Sequence, residues 1–307
     1  MYELIIIGGG PAGISAGVYA SRKQLKTLFI TKDWGGQSIV SEDIQNWIGS
    51  PSISGANLAL NFKTHLTTYA GEYVDIKDKA LVSKIEKQDV GFLVTLDSNE
   101  TFSTKTILVS SGSNRRKLSA LNADKFEHKG LTYCASCDGP MFSGQDVVVI
   151  GGGNAAFETA AQLLAYTKSV TLLQRGSEYR ADPVTVEKVL SHPNMKGFTD
   201  TEIQEVTGDN FVSGITYKNT STGEIINLPA TGIFVEIGMI PNTTYLENIV
   251  ELDPLKRVVI DPWTQQTKTP GIWSAGDCTN ILYHQNNIAA GDAVRALEDI
   301  YVNLRAK

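Results

Sequence analysis

The chain has 307 residues, 42% of them hydrophobic, and carries 27 Lys and Arg against 33 Asp and Glu for a net charge of −6. That length fits about two domains of roughly 150 residues each, and the balance of apolar to charged residues excludes a disordered polymer. Acidic charge without a Lys/Arg block argues against nucleic acid or an anionic membrane as a partner, and apolar runs as short as Leu4–Ile7 fall far below the ~18 residues of a membrane span.

The N-terminus, MYELIIIGGG, has no basic segment ahead of its apolar residues, so a cleaved signal is not expected and a cytoplasmic location is. The first predicted unit starts at Ile5: IIIGGGPAGISAGVYASRKQLKTLFIT reads as a strand, a glycine turn, an Ala-rich helix and a second strand. Phe92–Gly112 then alternates around the turn-forming Ser98-Asn99, as a β-meander would. From Val148, VVIGGGNAAFETAAQLLAYTKSVTLLQ repeats the first unit without a gap. Parallel strands need such a crossover helix, so each copy is a βαβ unit. Ile215–Pro229 forms a second hairpin with Gly223 in its turn. The tail from Gly271 predicts a strand, a Gly276-Asp277 turn and a last helix from about Gln285. The class is α/β, with two Rossmann-like dinucleotide-binding domains.

Gly8, Gly10 and Gly13, with Pro11 and Ala12 between them, fit G-x-G-x-x-G between a strand and a helix. The first glycine permits the tight turn, the second lets backbone approach a pyrophosphate, and the third allows helix and strand to pack closely. The helix N-terminus then offers free N–H groups to phosphate. The second copy reads Gly151-Gly152-Gly153-Asn154-Ala155-Ala156. An NAD site usually places Asp or Glu about 20 residues further on, for the ribose diol. Here that position is Gln174, followed by Arg175 and Arg180, which favours a 2′-phosphate and hence NADP(H); solvated surface charge is the bland alternative.

Cys134 and Cys137 stand at Cys-x-x-Cys spacing just before the second unit. A structural zinc site wants four N/S ligands, and the four histidines are scattered at His65, His128, His192 and His284, so no metal is expected. A redox dithiol is the stronger reading. Asp138 follows directly, as either a proton donor and acceptor or a turn residue. A nicotinamide delivers a hydride and a disulfide accepts electrons through sulfur, with flavin as the usual mediator. The parts therefore read as FAD, NAD(P)H and a dithiol relay. Cys278 is expected to be a buried small hydrophobe, Trp34 and Trp47 packing residues, and His284 a surface-loop residue.

GGGPAG, GGQ (Gly35–Gln37), CASCDG (Cys134–Gly139), GGGNAA and AGD (Ala275–Asp277) occur in an order and spacing that resembles the low-molecular-weight thioredoxin reductases along essentially the whole chain. The resemblance implies a discontinuous FAD domain of residues 1–113 and 243–307, with an inserted NAD(P)H domain of residues 114–242 that carries the dithiol. It implies that Gly35, Gly36, Gln37, Asn46, Ser111 and Gly112 line the flavin, that Gly276 and Asp277 serve the ribityl chain, and that Gln285 sets a helix N-terminus near the flavin. Gly151–Ala155, Arg175, Arg180 and Gly238 would hold the nucleotide. Cys137 would attack the flavin, Cys134 would exchange with the protein substrate, and Asp138 would act as acid and base. The resemblance also implies a homodimer, a thioredoxin-like partner, and rotation of the two domains about crossings near Asn114 and Asn242.

This chain departs from the family pattern at Gln174-Arg175-Gly176, where the family reads His-Arg-Arg, and at Ser110-Ser111-Gly112, where it reads Ala-Thr-Gly. Gly232–Glu247 and Tyr133–Phe142 are also similar to the flavoprotein of alkyl hydroperoxide reductase, an NADH enzyme. That flavoprotein has an N-terminal thioredoxin-like extension, which is not expected ahead of the first strand here. NADH or ferredoxin as donor, a peroxiredoxin or glutaredoxin-like acceptor, and a redox-sensing flavoprotein with little turnover are the competing readings.

Overall fold

The computed structural model describes residues 1–41 and 43–306; Lys307, the last residue of the expected FAD domain, lies outside them. In chain order the first elements are β1 (Tyr2–Ile7), α1 (Pro11–Arg22), β2 (Thr27–Thr31), α2 (Gly55–Ala70), β3 (Val74–Asp78), β4 (Val82–Lys87), β5 (Phe92–Leu96), β6 (Thr101–Val109) and β7 (Ser113–Arg115). Then follow β8 (Leu131–Thr132), α3 (Ala135–Asp138), β9 (Asp146–Ile150), α4 (Asn154–Leu164), β10 (Ser169–Leu173), α5 (Pro183–Leu190) and β11 (Met195–Phe198). The chain closes with β12 (Thr201–Gly208), β13 (Val212–Asn219), β14 (Ile225–Pro229), β15 (Gly232–Val235), β16 (Met239–Pro241), β17 (Ile272–Ser274) and α6 (Asn286–Arg305). These elements form two compact units, residues 1–114 with 240–307 and residues 115–239.

The first unit is built on a seven-stranded sheet ordered β3-β2-β1-β6-β5-β4, with β17 pairing to β6. β1, β2, β3, β6 and β17 run parallel, whereas β4, β5 and β6 form the antiparallel meander expected from the alternation around Ser98-Asn99. β1 can be a continuous β-branched run because parallel strands are covered on both faces. Leu4 and Ile6 pack with α1, α2 and α6 on one face, and Ile5 and Ile7 pack with the meander and Val258 on the other. Small residues let α1 approach its neighbours: a Cβ on Gly17 would come 2.9 Å from Leu66 Cδ1. α6 lays Ala289, Ala293, Ala296, Leu297 and Ile300 into the same core. Its C-terminal half is tied to the sheet at two points. Trp273 on β17 donates to Asp299 (2.9 Å), and Arg305 donates to Glu3 on β1 (Nη2···Oε2 3.2 Å).

The second unit has a five-stranded parallel sheet ordered β11-β10-β9-β15-β8 and an antiparallel sheet ordered β12-β13-β14; β7 and β16 form a two-stranded ladder. The order reverses between β9 and β15. One face of the parallel sheet is covered by Phe157, Ala160 and Leu163 of α4, with Leu164 packed against them. The other face buries Ile215 and Tyr217 of the antiparallel sheet. None of the described helices is long and apolar enough to cross a membrane.

Candidate active site

In the first unit, Gly8 has φ +121, and a Cβ there would lie 2.2 Å from the Ser110 carbonyl oxygen, so only glycine fits between β1 and the end of β6. Gly13 presses on Gly8 itself, where a Cβ would meet the carbonyl oxygen at 1.8 Å. Gly10 is different. Its Cβ would touch nothing closer than Gly36 Cα at 3.7 Å, and as the N-cap of α1 it supplies no side-chain cap. The first-turn N–H groups of α1 are therefore left to whatever occupies the space beside Gly10.

The other candidate FAD residues converge on that end of the sheet. Gly36 lies against Gly10, and a Cβ on Gly276 would meet Ala12 at 3.3 Å and Ala289 at 3.4 Å, which places the Gly276-Asp277 turn between the first turns of α1 and α6. Gln37 donates to Ser113 O (2.5 Å) and to Asp277 Oδ2 (3.4 Å). Asn46 donates to Gln285 Oε1 (3.3 Å), the N-cap residue of α6, and Asn287 returns a bond to Asn46 O (2.7 Å). Ser111 and Gly112 are clamped to Asn242: the Ser111 hydroxyl donates to Asn242 O (2.7 Å), and Asn242 N–H donates to Gly112 O (3.0 Å).

His284 lies in the loop ahead of α6, as expected, but is less exposed than a surface residue. It is partly buried, with Nδ1 3.4 Å from Asp277 Oδ1 yet without a hydrogen bond among the described residues, because the chain from Asp277 folds back beside α6. Cys278 is fully buried, its Sγ 3.4 Å from Ser274 Oγ, and burial pushes its thiol pKa up. Trp34 stacks on Phe29 (5.7 Å) and Trp47 meets Phe62 edge-on (5.3 Å), so both are packing residues.

The donor set fits an FAD. Bare backbone at Gly10, uncapped N-termini of α1 and α6, and an Asp277 carboxylate are what a pyrophosphate, an electron-rich ring edge and a ribityl hydroxyl require.

In the second unit, Gly151 repeats the Gly8 geometry with φ +141, its Cβ position 2.3 Å from the Glu236 carbonyl oxygen. Gly153 repeats Gly10: it caps α4 without a side chain, and a Cβ there would meet nothing within 4 Å. Gln174, at the ribose-selecting position, is buried beneath Gly152 and donates to Glu178 O (3.0 Å). Its amide is thus used to shape its own loop. Arg175 and Arg180 are exposed and have no partner among the described residues, and the Arg180 N–H anchors its loop on Gly152 O (2.7 Å). Asn154 accepts from Asp182 N–H (2.8 Å), and Gly238 has φ +100 with open space around it.

Cys134 and Cys137 form a disulfide with Cα atoms 5.3 Å apart. Cys134 is the N-cap of α3, and its sulfur accepts from Cys137 N–H (3.2 Å). Thr132, buried on β8, accepts from Cys134 N–H (3.3 Å) and donates its hydroxyl to the Asp138 carboxylate. Gly139 admits Tyr166, whose hydroxyl oxygen would sit 2.2 Å from a Cβ there. Sequence reasoning passed over Thr132; the available signal was a hydroxyl two residues before the first cysteine. It also passed over Glu236, a carboxylate interrupting the apolar run Gly232–Ile237, and Thr159, which donates to it (2.9 Å).

A family model described as pyridine nucleotide-disulphide oxidoreductase matches residues 2–294. The chain is 35% identical over 295 residues to an NADH dehydrogenase of Bacillus subtilis (strain 168), covering 96% of this chain and 57% of that protein. It is 37% identical over 299 residues to the F component of the alkyl hydroperoxide reductase of Escherichia coli (strain K12), with the same coverage of 96% and 57%. The chain thus spans a little over half the length of these curated relatives. Among solved structures it is similar to a thioredoxin reductase from Streptococcus pyogenes MGAS5005, with TM-score 0.91 and 30% identity over 100% of this chain and 99% of that one. A thioredoxin reductase from Giardia duodenalis gives TM-score 0.93 and 29% identity at the same coverage of 100% and 99%. The α/β fold with two Rossmann-like dinucleotide-binding domains is the one the repeat led us to expect.

Proposed function

Since the chain belongs to the pyridine nucleotide-disulphide oxidoreductase family, whose members are FAD-dependent oxidoreductases served by a nicotinamide, we propose that it reduces a thioredoxin-like protein disulfide with electrons from NADPH. The observation that carries this reading is the Cys134–Cys137 disulfide on the same sheet as an uncapped glycine turn, with Asp138 held beside it by Thr132. In this reading residues 1–113 and 243–307 hold FAD and residues 114–242 hold the nucleotide.

When bound, FAD accepts a hydride from a reduced nicotinamide and hands an electron pair to a disulfide. Gly10, Gly36 and the first turn of α1 hold its pyrophosphate, Asp277 its ribityl hydroxyls, and the N-terminus of α6 the ring edge where negative charge grows on reduction. Gly153 and the first turn of α4 hold the nicotinamide dinucleotide, with Arg175 and Arg180 on the 2′-phosphate. Reduction breaks the Cys134–Cys137 bond. Asp138 protonates the thiolate that leaves and later takes the proton back as Cys134 attacks the acceptor disulfide. Cys137 then displaces the reduced acceptor from Cys134 and restores the starting disulfide.

A second reading, NADH as donor, has its own support. Gln174 spends its amide within the loop, and the exposed Glu178 carboxylate has no partner among the described residues, so it is free to take a ribose diol. Anaerobic titration of the flavin band with NADPH and NADH, followed by turnover with thioredoxin, tests both readings. Bleaching by NADPH at tenfold lower concentration than NADH, with thioredoxin turnover abolished in Cys134→Ser, is the expected result. Preferential bleaching by NADH sinks the donor assignment, and full flavin reduction without thioredoxin turnover sinks the acceptor.

A further inference from the structure

The carboxyl end of β15 holds an acid that the reaction above leaves unused. Glu236 follows four buried residues, Gly232–Val235, and its N–H donates to Ile150 O at the end of β9 (2.8 Å). Its own carbonyl fills the space where Gly151 would carry a Cβ. The residue is therefore built into the glycine turn. β9 and β15 are also the adjacent strands at which the sheet order reverses, and in open α/β sheets ligands enter the crevice at that reversal. The side chain turns toward α4, where the Thr159 hydroxyl donates to Oε1 at 2.9 Å.

Four influences act on this carboxyl. Desolvation is the largest and disfavours charge, and Glu158 on α4 opposes charge as well. The Thr159 hydroxyl and Arg115 on β7 favour it. Desolvation wins, and the pKa rises to about 7. Near neutral pH the free protein thus holds this proton at partial occupancy. A second negative group brought to the same turn shifts the balance further toward the neutral acid, because like charges at one site cannot both be kept ionised.

We propose that Glu236 is a positioning residue of the nucleotide site that must be protonated for a pyrophosphate-bearing dinucleotide to enter the β9/β15 crevice. The proton comes from solvent and settles on Oε2, since Oε1 keeps the Thr159 hydrogen bond in either state. No electrons move in this step. Binding and proton uptake are linked, so affinity falls as pH rises past the titration of the free carboxyl. This inference rests on reading residues 114–242 as the nicotinamide-dinucleotide domain.

The test is calorimetric titration of the oxidised holoenzyme with NAD⁺ and with NADP⁺ from pH 7 to 9. Neither ligand can donate a hydride, and the 2′-phosphate has finished titrating by then. Repeating each titration in two buffers of different ionisation enthalpy counts protons. For the native protein the dissociation constant should rise about tenfold per pH unit, with proton uptake on binding. Glu236→Gln, which keeps an acceptor for Thr159, should flatten the profile and abolish the uptake. Thr159→Val removes a bond that favours the carboxylate, so it should move the fall in affinity to higher pH, and it provides the test should Glu236→Gln fold poorly. A flat native profile, or parallel profiles for the native protein and Glu236→Gln, overturns the proposal. Failure of both nucleotides to bind at any pH would overturn the nucleotide reading, and the proposal with it.

Discussion

The Thr132 hydroxyl donates a hydrogen bond to the Asp138 carboxylate and accepts one from the Cys134 amide, so one buried threonine links the carboxylate proposed as acid and base to the start of the dithiol loop. Asp138→Asn keeps the size and the hydrogen bond but removes the titratable group. It should lower acceptor turnover by about 100-fold, within the usual range for general acid–base help, while flavin reduction by nicotinamide proceeds at the native rate. Stopped-flow measurement of the two half-reactions separates these outcomes. Thr132→Val should cost less in rate and shift the pH profile of the second half-reaction.

Each cysteine should be indispensable to disulfide exchange and dispensable to flavin reduction. Cys134→Ser and Cys137→Ser should each lose at least about 1,000-fold in acceptor turnover, because a hydroxyl is a poor substitute for a thiolate at neutral pH. The absorbance change with nicotinamide should survive in both.

The glycines separate into those the packing needs and those with open space beside them. A Cβ on Gly9 would lie 2.2 Å from Thr31 Oγ1 and 2.4 Å from Asp33 O, whereas one on Gly153 would meet nothing. Gly9→Ala should therefore lower stability to urea by about 1–3 kcal/mol, as overpacking does. Gly153→Ala should leave stability nearly unchanged and weaken nucleotide binding by about tenfold or more. Urea midpoints and nucleotide dissociation constants, measured on both variants, check the contrast.

The raised pKa of Glu236 has a stability consequence of definite sign. In the folded protein the carboxyl titrates at about 7 and in the unfolded chain at 4.5. Between those values the folded state binds more protons, so the residue's contribution to stability declines as pH rises through that window. Glu236→Gln should match the native protein near pH 4.5 and exceed it by ~3 kcal/mol at pH 8. Chemical denaturation of the two proteins across this range decides it.

Arg175 and Arg180 offer two guanidinium groups beside the glycine turn, neither paired among the described residues. Replacing either with Ala should raise the NADPH dissociation constant by about 10-fold, in line with the loss of one charged hydrogen bond, and change that for NADH by less than about twofold. Equal losses for both nucleotides would mean that the arginines serve the shared pyrophosphate.

Much of this was legible in the sequence for a definite reason. Gly8 and Gly151 must take positive φ against a neighbouring strand, so the turn leaves the same mark twice, and the spacing of Cys134 and Cys137 is local. The alternation around Ser98-Asn99 likewise reports a meander that depends on adjacent residues only. What could not be read depends on contacts between distant positions. Gln174 was legible only as a missing ribose carboxylate; that its amide is consumed by Glu178 O was not. His284 is the loop residue it looked like, but its place beside Asp277 could not be read. Glu236 meets Thr159 across two elements, and its titration follows from desolvation, which no pattern of neighbouring residues records.

The sheet begun by β1 gains its last strand from β17 and has one face covered by α6, both late in the chain. A ribosome making this protein from its N-terminus has already released the whole of residues 115–239, which need nothing from later in the chain to close their own sheets. The apolar face of α1 must wait for Ala289, Ala293 and Leu297. Nascent chains stalled before α6 should therefore hold a finished second unit and an open first one, the form most exposed to proteases and chaperones.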